Sequence, residues 1–266
     1  MKKWIALSLA LVMMLTTCLA MAETFKQGID ADYPPFSYLD ENGQYAGFDV
    51  EVCQRVCELN GWEHEIVPVN WDFKLNSLDA GEHDCVWSGM TIRDSMIKEG
   101  YVLSAPYFDN TQVVLTRADT GITTLADLAG KRVAVMLGTS GEALLEDEEG
   151  QLALAKTFEG GEAVKMENFN ICAIELAGQS VDAVVIDQPV AKKYVKEYEK
   201  NGFVILEETL GTEEYGICFR KGDEELRDKV EAALKIMIED GSYLAIAEKW
   251  APEGVATANL MLLNKD

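Results

Sequence analysis

Cations are what this chain most lacks. Its 266 residues carry 23 Lys and Arg against 46 Asp and Glu, a formal net charge of −23. Such a balance argues against nucleic acid and anionic membranes as partners, because both need a basic face. Histidine is scarcer still. His64 and His83 are the two present, they stand apart, and no metal-ligand spacing includes them. Structural or surface roles are expected for both, and no metal or cofactor is expected. No Gly-x-Ser-x-Gly occurs, no histidine neighbours a nucleophile, and no glycine-rich dinucleotide fingerprint follows a first strand. Covalent catalysis and nucleotide chemistry are thus without a sequence signal.

Long apolar runs are missing too, except at the start. Lys2-Lys3 precede the almost wholly apolar Trp4 to Leu15, and Ala20-Met21-Ala22 forms a small-x-small site. This pattern predicts a secretory signal peptide over residues 1–22, too short and wrongly flanked for a membrane span. Cleavage leaves 266 − 22 = 244 residues and, with Lys2 and Lys3 gone, a net charge of −23 − 2 = −25. Leu15-Thr16-Thr17-Cys18 offers a second reading, a lipoprotein box that would leave the chain anchored at Cys18. Either way a periplasmic or other extracytoplasmic protein is expected. Of six cysteines, Cys18 goes with the leader in the first reading. Cys53, Cys57, Cys85, Cys172 and Cys218 remain, an odd set lying in apolar runs. They read as small buried hydrophobes; a Cys53–Cys57 bridge is not favoured.

What is present is an alternation of strand and helix patterns. Phe25 to Ile29 reads as a strand and opens into a loop, Asp30 to Phe36, marked by Pro34-Pro35. Asn42-Gly43 signals a hairpin. Asp49 is placed to cap a helix that runs to Asn60 and stops at Gly61. Further strands are expected at 64–69, 85–89, 113–117, 131–137, 181–186, 203–206 and 215–219. Helices are expected at 72–80, 169–177, 189–200, 223–240 and 243–250. This order argues for α/β layers with mostly parallel sheets.

Three stretches could carry chemistry. In DCVWSGMTIRD, residues 84–94, an apolar strand ends at Gly89 and passes Met90, Thr91 and Arg93. A hydroxyl, backbone N–H groups and a guanidinium at one point suit a carboxylate; the same residues also fit an ordinary strand end. RVAVML followed by Gly138-Thr139-Ser140-Gly141 and a helix is a strand–turn–helix unit whose free N–H groups suit an anion. Ser140 as a plain N-cap is the alternative. VDAVVI ends at Asp187, which Pro189 could make a helix cap.

The order of motifs resembles the extracytoplasmic solute-binding proteins of polar amino-acid ABC transporters. GIDADYPPFSY, GQYAGFDVEVCQRV, WDFKLNSLDAGEHDCVWSGMTIRD, YVLSAPYFDNTQVVL, LADLAGKRVAVMLGTSG, VDAVVIDQPVA and EEYGICFRKGDEELRDKVEAAL carry the likeness over residues 25–250. It implies a type II periplasmic binding protein, two α/β lobes with mostly parallel sheets and a ligand cleft between them. Lobe 1 would hold residues 23–110 and 214–266, and lobe 2 residues 111–213. Hinge crossovers would lie at 108–111 and 211–215. The resemblance also implies roles. Asp30 and Tyr33 would meet the ligand's side chain, and Trp71 would cover it. Gly89, Met90 and Thr91 form the strand end that meets its α-amino and α-carboxylate groups. Thr139 and Ser140 would take the carboxylate, and Asp187 the ammonium.

One departure stands out. The family's carboxylate-binding arginine usually follows the threonine by four or five residues, where this chain has Ser95 and Met96. Arg93 is the nearby substitute, and Met136 replaces a polar side chain of some relatives. The implied function is capture of an amino acid by hinge closure and delivery to a membrane permease, by a monomer without enzymatic activity. An exported prephenate or arogenate dehydratase on the same fold is the alternative, and service to a separate sensor stays open. Cystine, glutamine and basic amino acids all remain candidate ligands.

Overall fold

The structure is a computed structural model that describes residues 22–263. Cys18, and the expected leader except Ala22, lie outside the described residues.

In chain order, β1 (Thr24–Ile29) leads into a small antiparallel sheet of β2 (Asp32–Tyr33), β3 (Ser37–Leu39) and β4 (Tyr45–Ala46). Helix α1 (Phe48–Asn60) and β5 (Glu63–Pro68) follow, then a 3-10 turn at Trp71–Phe73 running into α2 (Lys74–Asp79). Next come β6 (Cys85–Thr91), α3 (Asp94–Glu99), β7 (Val102–Leu103) and the long β8 (Phe108–Arg117). The second half holds β9 (Val133–Met136), α4 (Ser140–Glu146), α5 (Leu152–Ala155), β10 (Val164–Met166) and α6 (Phe169–Ala177). It continues through β11 (Ala183–Asp187), α7 (Gln188–Glu197) and β12 (Phe203–Ile205). The chain returns along β13 (Gly211–Phe219) to α8 (Glu224–Asp240) and α9 (Ser242–Trp250).

Ten of these strands form one sheet in the order β10-β9-β11-β8-β13-β6-β1-β5, with β12 on β8 and β7 on β13. Its two wings are parallel: β6-β1-β5 on one side and β10-β9-β11 on the other. The inner strands of the second wing read as continuous apolar runs, AVVI in β11 and VAVM in β9, and are buried along those runs. Between the wings β8 and β13 pair antiparallel, Tyr215 opposite Phe108 and Gly211 opposite Gln112. Those are the two stretches that sequence reading marked as crossovers, and they lie side by side. Phe36 packs edge-on against both Phe108 and Tyr215, which anchors the small sheet at this junction.

Two caps differ from expectation. Gly47, not Asp49, is the N-cap of α1, and no side chain caps it. Asp49 is fully buried and accepts from the Gly89 N–H at 2.7 Å and the Tyr107 hydroxyl at 2.7 Å. Its long-range partners outcompete a local cap. Likewise Thr139, not Ser140, caps α4, taking the Glu142 N–H at 3.2 Å. Helix α3 had no expectation at all. The Asn42-Gly43 hairpin does form, but Gly43 alone has a positive φ, 74°; the loop closes through the Gly43 N–H to the Asp40 carbonyl. The five cysteines at 53, 57, 85, 172 and 218 are free and buried. His64 bonds Gln27, and His83 sits between Ser77 and the Cys85 carbonyl, so both are structural.

Candidate functional site

Parallel strands bring their C-terminal ends together at a narrow cavity between the two wings, with about 20 Å3 open to a water-sized sphere. Its lining includes all ten residues singled out from sequence: Asp30, Tyr33, Trp71, Gly89, Met90, Thr91, Arg93, Thr139, Ser140 and Asp187. Lys74, Met136, Gly138 and Phe169 complete it.

Adjacent strands build the polar end of the site. Residues opposite one another in a ladder share a face, and every second residue returns to it. On β8 that face carries Asn110 and Gln112; on β13, Glu213 and Tyr215; on β11, Asp187, paired with Gln112. Thr91 on β6 stands opposite Tyr215. The resulting network is dense. Asp187 Oδ1 accepts from Asn110 Nδ2 at 2.6 Å, Gln112 Nε2 at 2.6 Å and the Tyr215 hydroxyl at 2.9 Å. Glu213 Oε1 accepts from the same two amides at 2.6 and 2.8 Å, and its Oε2 from the Thr91 hydroxyl at 3.0 Å. Burial, and then the neighbouring Glu213 charge, push the Asp187 carboxyl well above the ordinary carboxylate range. Asp187 occupies the N-cap position of α7 without a capping bond, its carboxyl turned to this cluster instead.

Aromatic and thioether groups make the walls. The Tyr33 hydroxyl meets that of Tyr215 at 2.6 Å, and its ring lies 6.1 Å from that of Phe169. Trp71, Met90 and Met136 add apolar surface. Asp30 is buried beside them. Its Oδ1 accepts only the Asp32 N–H, at 2.9 Å, and burial pushes its carboxyl up to about 6.

Two cations reach the cavity. Arg93, extended at the N-cap of α3, accepts the Met96 N–H through its backbone carbonyl, but its guanidinium has no hydrogen bond or ion pair among the described residues. Glu213 and Glu142 are the charges that act on it from a distance. The alternative positions are spent otherwise. Met96 is buried with Leu78, Val86 and Tyr101, and Ser95 is exposed. Lys74 is buried, and its Nζ donates to the Trp71 carbonyl at 2.9 Å and to the Gly138 carbonyl at 2.7 Å. Burial lowers its ammonium to about 8. This bond ties the α2 side of the cavity to the turn after β9.

That turn is partly satisfied from within. The Thr139 hydroxyl donates to the Met136 carbonyl at 2.7 Å while capping Glu142. The Gly138 N–H donates to Glu142 Oε2 at 2.7 Å, and the Ser140 hydroxyl accepts from Gln112 at 3.0 Å. The Gly89 N–H is held by Asp49. Sequence reading missed Lys74, Phe169, Asn110, Gln112 and Glu213. A signal existed for two of them: in FDNTQVVL the amides Asn110 and Gln112 alternate with Asp109 and Thr111 and so share one strand face, leading into the apolar VVL.

A family model for bacterial extracellular solute-binding proteins, family 3, matches residues 25–253. The chain belongs to this family. Among curated relatives, the L-cystine-binding protein TcyJ of Escherichia coli is 32% identical over 85% of this chain and 82% of its own. A probable histidine-binding protein of Neisseria gonorrhoeae is 32% identical over 96% and 97%. Among solved structures, a histidine-bound ABC uptake transporter substrate-binding protein from Streptococcus pneumoniae superposes with a TM-score of 0.82 at 31% identity. It covers 88% of this chain and 94% of that one. An ancestral arginine-binding protein bound to arginine gives 0.78 at 37% identity over 86% and 99%. These family members support the two-lobed α/β reading.

Proposed function

We propose that the chain binds a free amino acid outside the cytoplasm and delivers it to an ABC transporter permease. The observation that carries this is one small cavity lined by a guanidinium without a side-chain partner among the described residues, Arg93, and by the buried Asp187 carboxyl, which the half-buried Glu213 backs through shared amide donors. A zwitterion needs both poles, because an unpaired charge is costly to bury. Arg93, with Thr91 and the Thr139–Ser140 turn, takes the α-carboxylate. Asp187 takes the α-ammonium, and Gly89 and Met90 border that end. Tyr33, Trp71 and Phe169 enclose the side chain. Asp30, a buried carboxyl with no cation hydrogen-bonded to it, favours a side chain that is cationic or donates hydrogen bonds.

Lobe 1 spans residues 23–110 and 214–266, lobe 2 residues 111–213, and the β8–β13 ladder is the hinge. A ligand touching both lobes drives closure by binding the closed form better. The named relatives are binding proteins, which supports binding over catalysis, and the family's extracellular description agrees with export through a cleaved leader. A thermal-shift screen of the mature chain against all amino acids and cystine tests the reading. A true ligand at 100 times its Kd adds about 2.7 kcal/mol to stability. An unchanged Tm with every compound would sink it.

A further inference from the structure

Asp187 does not act alone. Glu213, on a different strand, shares both of its amide donors: Asn110 Nδ2 lies 2.6 Å from each carboxylate, and Gln112 Nε2 lies 2.6 Å from Asp187 and 2.8 Å from Glu213. Two carboxylates held this closely by the same N–H groups cannot both stay ionised without a cation. Hydroxyls of Tyr215 and Thr91 are the remaining donors to the pair, and neither carries charge. Asn110 Oδ1 is a buried acceptor without a donor, on the side chain that bridges the two acids. An ammonium supplies what is missing: one positive charge and three N–H donors.

We propose that Glu213 is the second carboxylate of the ammonium subsite, and that an ammonium entering there displaces one proton from the Asp187–Glu213 pair. The proposal rests on the amino-acid-binding reading and deepens it. The acid–base balance is simple. Before binding, the Asp187 carboxyl, raised by burial and by the neighbouring Glu213 charge, holds a proton. After binding, both acids are ionised around the ammonium and the proton has left to solvent. The other charged and titratable groups facing the pair are few. Tyr33 bonds Tyr215 and stays neutral, its hydroxyl raised by burial. Arg93 acts on Glu213 from a distance, and Asp49 lies behind Tyr33. The α-carboxylate of the ligand neutralises Arg93, so that cation does not replace the ammonium at the pair.

Linkage gives the sign. A site that must lose a proton to bind weakens on acidification, by about tenfold per pH unit below the pair's effective pKa. Glutamine at position 213 removes the neighbouring charge. Asp187 then ionises more readily, and binding becomes less pH-dependent, although burial still holds its carboxyl up.

Isothermal titration calorimetry decides it. L-arginine, L-histidine, L-glutamine and L-cystine are each titrated into the mature chain at pH 7.5, in buffers of different ionisation enthalpy. L-arginine and L-glutamine are repeated at pH 6 and pH 5. The wild type is expected to release about one proton per amino acid bound and to lose affinity about tenfold per pH unit. Glu213→Gln is expected to bind with clearly smaller proton release and a shallower pH profile than the wild type. Binding by the wild type without proton release overturns the inference and leaves the amino-acid reading standing. So does release of the same size from Glu213→Gln. Absence of binding by all four amino acids overturns both. A Glu213→Gln chain with a wild-type circular dichroism spectrum and melting profile excludes misfolding as the cause of a changed profile.

Discussion

Arg93 and Asp49 show at residue scale how position and partner decide a role. Arg93 stands two residues after Thr91, at an unusual spacing for the family, yet its guanidinium reaches the cavity and has no hydrogen bond or ion pair among the described residues. Met96, at one of the usual clamp positions, is a core side chain instead. Arg93→Ala should therefore weaken amino-acid binding by about 2 to 5 kcal/mol, read as Kd by calorimetry. An unchanged Kd would remove Arg93 from the site. Asp49 looked from sequence like a helix cap because Asp before an apolar-periodic run normally is one. In the fold it is buried with two donors to one oxygen, and burial pushes its carboxyl up to about 7. A carboxyl raised this way favours the folded state while protonated. Its contribution is fully present below the unfolded value of 3.8 and is lost as pH rises through about 7. Asp49→Asn should flatten the fall in stability between pH 4 and pH 7 in urea titrations. An undiminished slope would show that other groups cause it.

At the scale of elements, helix boundaries were legible where period and punctuation agreed, whereas β8 and β13 begin at Phe108 and Gly211, ahead of the strands expected from 113 and 215. The helix at Phe169–Ala177 and the ends of Phe48–Asn60 and Glu224–Asp240 at left-handed glycines follow from apolar spacing and a following Gly. Local pattern could not reveal which donors an acid would find from far along the chain, so Asp49 and Glu213 were misread or missed. Contact between elements was equally hidden. Gly138, at φ 72°, sits so close to the turn before α2 that a Cβ there would lie 2.7 Å from the Asp72 Cα. That neighbour is backbone and cannot rotate away. Gly138→Ala should hold the cleft open and raise the ligand Kd about tenfold or more by depleting the closed form. Gly43→Ala is the control, since Gly43 has a similar φ of 74° but open space around it. Equal losses of affinity in both would attribute the effect to backbone strain alone.

For the whole molecule, the sheet runs unbroken from wing to wing through the β8–β13 ladder, so the cavity lies where two rigid parallel units meet a narrow antiparallel neck. Net acidity says little about this site. A chain of net charge −23 still presents a free guanidinium and a buried ammonium inside one cavity. The α/β class and the family order of motifs could be read directly, because each motif is local. The carboxyl pair could not, since its members lie on strands joined only by tertiary pairing. The central claim is that this cavity recognises a free amino acid by both of its charged ends. Calorimetry with the amino acid that shifts Tm most, alongside its α-carboxamide and its N-acetyl derivative, tests that claim most directly. The account predicts binding of the zwitterion and at least about a hundredfold weaker binding of each derivative. Equal affinity for all three would contradict it.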